Sequence, residues 1–137
     1  MQWSRRDLSF LLPALAAAQS EDRGAAPSMA FRFEDLVANT SGAIVTRQIL
    51  NGDTHTGFLL DLHESELAVG QPPHAPHQHV HEEVLLIREG VLDVTIEGKT
   101  TRLGAGSGAY FASNRMHGWH NSGSIPAKYF VLALGRD

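Results

Sequence analysis

This sequence predicts an all-β fold, a small antiparallel β-barrel or double-stranded jelly roll. Three observations point there. First, a series of short apolar or β-branched runs follows residue 42, most of them closed by Gly, Asn or Asp turn signals. Second, residues 91–97 alternate, with Leu92, Val94 and Ile96 on one side and Asp93, Thr95 and Glu97 on the other. Third, helical periodicity is weak. As an open sheet, a chain of 137 residues would expose its edges, and closure or double layering removes them.

The elements follow in order. Residues 1–18 read as a removable signal peptide: Arg5 and Arg6, a short apolar run from Leu8 interrupted by Pro13, then Ala16 and Ala18 as small residues before a cleavage point. Ser4-Arg5-Arg6-Asp7-Leu8 resembles a twin-arginine export motif, which places the mature chain outside the cytoplasm of a bacterium, in the periplasm or beyond. Residues 19–30 are small and polar, as in a flexible linker. Residues 31–137 form one domain. Residues 31–38 allow a helical turn or two, and strands are expected at 43–50, 57–67, 83–87, 91–97, 100–103, 108–112, 118–121 and 128–134. Asn51-Gly52-Asp53 and Gly98-Lys99 are the expected turns beside them.

Composition narrows the chemistry. Apolar residues make up 42% and charged residues 19%, as in an ordinary globular domain, and the net charge of −4 gives no reason to expect nucleic acid. No apolar run in the mature chain approaches the roughly 20 residues of a membrane-spanning helix. There is no cysteine, so disulfides and thiolate metal sites are excluded and any metal is held by nitrogen and oxygen.

The stretch HAPHQHVHEE, residues 74–83, carries the candidate site. His77 and His79 are two apart, so on an extended chain their rings share a face and can converge on one ion. Glu83, four residues on, reaches that ion only if the chain bends between them. Val80-His81-Glu82 is then the turn, with His81 directed away and Glu82 solvated. Pro72, Pro73 and Pro76 make the His74 segment a stiff approach loop. A further donor comes from His117 or His120, which point to opposite faces of a strand. Trp119 shares the face of His117, either lining the pocket or filling the core. His55 and His63 carry no pattern, and solvated or locally satisfied rings are expected there.

His77-x-His79-x₃-Glu83-x₆-Gly90, with Gly70 upstream, resembles the first motif of the cupin superfamily. Gly106-x₅-Ala112-x-Asn114-x₂-His117-x₃-Asn121 is similar to the second motif, with Ala112 in place of proline, Asn114 in place of glycine and Ser107 in place of aspartate. The resemblance implies a β-barrel holding one divalent transition metal (iron, manganese, nickel, zinc, copper or cobalt) on His77, His79, Glu83 and His117, with open positions for substrate. It implies a small-molecule enzyme, a dioxygenase first, in which Glu83 also acts as catalytic base and Trp119 lines the substrate pocket. A non-catalytic module for a carbohydrate or organic acid, or a redox-neutral isomerase or lyase, is the alternative. The resemblance also implies a homodimer exchanging a segment within residues 29–50. His74, His81 and His120 are expected outside the ligand set.

Overall fold

The computed structural model describes residues 24–137. The expected signal at 1–18 and the start of the expected linker lie outside the described residues. Ala25 and Ala26 of that linker rest on the chain, Ala26 donating its N–H to the Asp53 carbonyl at 2.6 Å.

Among the described residues nine strands form: β1 (Ala38–Ser41), β2 (Ile44–Asp53), β3 (Leu59–Leu67), β4 (Glu82–Glu89), β5 (Val91–Ile96), β6 (Lys99–Gly104), β7 (Gly108–Phe111), β8 (His117–Asn121) and β9 (Ala127–Leu134). All strand pairs are antiparallel. They build a six-stranded sheet, β1-β2-β3-β9-β4-β7, and a three-stranded sheet, β6-β5-β8. This double-layered all-β architecture is the predicted jelly roll. Leu67, Leu85, Ile87, Leu92, Val94, Phe111, Tyr129 and Val131 fill the space between the sheets.

Three local expectations are corrected. The helical turn at 31–38 shrinks to a 3₁₀ turn, Phe33–Asp35, and the chain then enters the edge strand β1. Ala38-Asn39-Thr40-Ser41 has no apolar alternation; it is a strand because it pairs with β2 across a tight turn at Gly42. Asn51-Gly52-Asp53 is not a turn. It continues β2 past a bulge between Gln48 and Leu50, still paired with Asp61, Leu60 and Leu59. The real turn follows, where Thr54 Oγ1 accepts the Phe58 N–H at 3.0 Å. The β5–β6 turn sits one residue early, at Glu97-Gly98, both with positive φ, as a two-residue type I′ hairpin demands.

Gly90 ends β4 with φ +83, and a Cβ there would lie 2.9 Å from the Ala127 Cα. Only glycine serves both the conformation and the contact, which lets β4 turn tightly into β5.

Candidate metal centre

The site is assembled by backbone pairing between two distant segments. His77, in the loop before β4, and His117, opening β8, exchange both backbone hydrogen bonds at 2.9 Å. The Asn114 N–H donates to the His79 carbonyl at 2.8 Å. Asn114 takes φ +57, a left-handed conformation that Asn tolerates better than most side chains. Pro76 packs on Gly118, where a Cβ would come within 3.2 Å of the proline. The histidine loop is thereby laid flat on β8.

The rings of His77, His79 and His117 surround one point. Their centroids are 5.1, 4.9 and 4.8 Å apart, and one ring nitrogen from each lies within 4.8 Å of the others. Glu83 Oε2 is 3.1 Å from His79 Nε2. The bend between His79 and Glu83 is present: the Glu83 carboxylate reaches His79, while the mutually close ligand atoms are those of His77, His79 and His117.

Hydrogen bonds decide which nitrogens face inward. His79 Nδ1 lies 2.8 Å from the His81 carbonyl, and His117 Nδ1 2.8 Å from the Arg115 carbonyl. A carbonyl only accepts, so both Nδ1 atoms carry protons; the His79 Nε2 is turned to the Glu83 carboxylate, and a neutral His117 ring presents a bare Nε2. The His117 Nε2 is buried without a hydrogen-bond partner. Leaving such an atom unpaired costs about 1–3 kcal/mol, so a native site normally supplies a partner. Nitrogen and carboxylate donors with fixed tautomers are what a divalent transition ion requires. The residues therefore fit the metal that the resemblance implies. The His77 pKa is held below its ordinary value, first by burial and then by repulsion from His74, His117 and His79, although the Ala75 carbonyl pulls the other way. Its ring thus stays neutral further down the pH scale.

The remaining sequence candidates separate. His74 stands beside His77, their Nδ1 atoms 2.9 Å apart, as an orienting neighbour. His81 does not turn away as expected. Its ring stacks on His79 at 3.6 Å, its Nδ1 is 2.8 Å from Asp137 Oδ1, and its Nε2 is 4.0 Å from Glu83. The hydrogen bond from His79 to the His81 carbonyl tightens the turn and brings the ring over. Glu82 is not merely solvated: it accepts the Tyr110 hydroxyl at 2.6 Å and so raises the Tyr110 pKa. His120 is exposed on the outer face of β8, 3.9 Å from Asp93. Trp119 does both things weighed for it, being buried in the core and lining the cavity.

That cavity, about 740 Å³, runs between the sheets and is bounded by His74, His81, Glu83, Trp119 and Tyr129. Phe111 stacks on His117 at 4.2 Å and on Trp119 at 5.6 Å, giving the site an aromatic wall. Ser65 Oγ, Trp119 Nε1 and Tyr129 Oη are buried there without hydrogen-bond partners. Burial pushes the Tyr129 hydroxyl up to about 12. Asp61, His63, Ser65 and Tyr129 on the wall carried no sequence signal beyond strand alternation. The Asp61, His63, Ser65 side of β3 reads as a solvent face.

A double-layered jelly roll with an inward-facing histidine cluster defines the class, a small barrel built around a metal-type centre. Residues 63–133, just over half of the chain, match the cupin domain family model, and the chain belongs to the cupin family. Solved structures agree on the fold. An RmlC-like cupin from Shewanella frigidimarina is 20% identical, with 80% of this chain and 93% of that one covered at a TM-score of 0.66. KdgF from a Halomonas species is 19% identical, covering 81% and 97%, at 0.68. The polyketide cyclase RemF from Streptomyces resistomycificus is 17% identical, covering 80% and 81%, at 0.67. No curated protein matches the sequence.

Proposed function

We propose that His77, His79, Glu83 and His117 hold one divalent transition-metal ion, and that the cavity beside them takes a small organic molecule for a dioxygenase-type oxidation. One observation carries this reading: a buried, unpartnered His117 Nε2 faces His77 and His79, with the Glu83 carboxylate adjacent. An ion held there would supply Lewis acidity, with redox chemistry where it is iron or another oxygen-active metal. The chain's own groups do the rest. Glu83 is placed to take a proton from a ligand at the site. Phe111 and Trp119 keep water out. Ser65, Trp119 and Tyr129 offer O–H and N–H groups to orient an oxygen of the ligand.

A redox-neutral isomerase or lyase is the second reading, favoured by the carboxylate of Glu83, since proton transfer serves that chemistry equally. Metal analysis, then oxygen uptake across phenolic and dicarbonyl compounds with iron, manganese, nickel, copper or cobalt loaded, tests the oxidation. Turnover of substrate without oxygen consumption moves the assignment to the second reading. A ligand that stabilises the protein and is recovered unchanged moves it to a carbohydrate- or acid-binding module.

Residues 1–18 act, in this proposal, as a twin-arginine-like signal, residues 19–30 as a linker, and the domain at 31–137 works in the periplasm or outside a bacterial cell. Two copies pair as a homodimer. The apolar outer face of the large sheet, including Leu62, Leu86 and Leu132, supports that pairing; Leu86 is 53% exposed. Size-exclusion chromatography with light scattering tests it.

A further inference from the structure

The cavity has a second polar pole, marked by no motif. His63 Nδ1 lies 2.8 Å from Asp61 Oδ1 on the inner face of β3. The carboxylate only accepts, so Nδ1 carries the proton and the neutral ring keeps a lone pair on Nε2. Two amides brace the same carboxylate: Asn51 Nδ2 donates to Asp61 Oδ2 at 2.6 Å and Gln48 Nε2 at 3.2 Å. All four side chains line the cavity. Gln48 and Asn51 are exposed whereas Asp61 and His63 are half-buried, so this pole sits at the mouth.

Strand register places the pole relative to the metal centre. Asp61 pairs with Ala133 of β9, and Ala133 pairs with Glu83 of β4. Two interstrand spacings separate the Asp61 and Glu83 backbones by roughly 10 Å. The row between them carries only the Ala133 methyl, which lines the cavity and leaves room above it.

We propose that Asp61, His63, Asn51 and Gln48 form a recognition site for the distal hydroxyl of a ligand whose other end binds at the metal centre. The inference rests on the metal reading above and adds the substrate class: a hydroxylated small organic molecule with its two polar groups a few bonds apart. A hydroxyl both donates and accepts, so it can give its proton to His63 Nε2 while taking the second amide N–H of Asn51; the Gln48 amide is held by the Leu50 and Leu62 carbonyls and braces Asp61. A carboxylate in that position would meet the charge of Asp61.

The test titrates the zinc-loaded protein with three probes: butanohydroxamic acid, its 4-hydroxy derivative and its 4-carboxy derivative. The hydroxy probe is expected to bind about tenfold more tightly than the plain one, the worth of one good hydrogen bond. The carboxy probe gains nothing. Asp61→Asn and His63→Leu erase the hydroxyl advantage while shifting the plain probe less than about twofold. Equal binding of the plain and hydroxy probes by the unaltered protein overturns the inference, as does an advantage that survives both variants. Zinc retained with no probe bound also overturns it and leaves the metal reading standing. A protein that takes up no zinc overturns both.

Discussion

Along part of β3 the two faces of the six-stranded sheet are built from opposite chemistry, and not in the order that the apolar core elsewhere in the sheet follows. Along β3 the side facing the other sheet carries Asp61, His63 and Ser65, while the side facing out carries Leu60, Leu62 and the fully buried Glu64. On the outer side Glu64 pairs with Arg47 at 3.0 Å, and Arg47 and Arg88 both lie over the Phe33 ring, at 4.8 and 4.7 Å. The outer face is thus covered locally by the N-terminal arm and closed by an ion pair. The inner face is polar along this stretch of β3 because it lines a cavity, while beyond it Leu67, Leu85, Ile87 and Val131 carry the apolar core. Alternation in a barrel strand reports two environments without saying which one is the interior.

Removing the centre's most enclosed donor should break this contrast most severely. His117→Ala is expected to cut metal affinity about 100-fold or more, beyond the 10–100-fold typical of losing an orienting partner of a ligand, with the strands retained. Inductively coupled plasma analysis after dialysis against a weak chelator checks it. On the outer face, Arg47→Ala leaves the Glu64 carboxylate buried with Arg88 only at 3.8 Å. A loss of about 3 kcal/mol in urea unfolding is expected, with metal content unchanged. Leu86→Glu sharpens the contrast from the same side. On the proposed pairing it should shift the light-scattering mass from dimer to monomer and leave the metal in place.

The smallest effects are in pH. Asp93, on β5, is held at about 2 by hydrogen bonds from Arg102 and Ser122, against an ordinary value near 3.8. A depressed carboxylate contributes stability above its unfolded value and loses it as pH falls through the folded value. The contribution of Asp93 is therefore full above about pH 4 and gone below about pH 2. Asp93→Asn should flatten that part of an acid-unfolding profile. Tyr129 has the opposite sign. Its raised value keeps a contribution complete below about pH 10 and lost as pH rises through about 12, and Tyr129→Phe should remove that alkaline limb.

The sequence made the strands legible where apolar and polar residues alternate around a core, as in β5. It failed where pairing alone makes the strand, as for Ala38–Ser41, and where a glycine sits inside a bulged strand rather than a turn, as at Gly52. His77, His79, Glu83 and His117 were legible only through motif spacing. The meeting of His77 and His79 with His117 depends on the backbone exchange between residues 77 and 117, which no local pattern encodes. The Asp61–His63 pair was illegible because its neighbours Gln48 and Asn51 arrive from another strand, across a bulge.

The central claim is a single ion shared by two separated stretches of chain, and the direct measurement is the metal bound per chain after purification without added metal, repeated for His77→Ala and His117→Ala. The account predicts close to one equivalent of a divalent transition metal in the unaltered protein and almost none in either variant. A metal-free protein that also fails to take up added zinc, iron, manganese, nickel, cobalt or copper would contradict it, as would variants that retain their full complement.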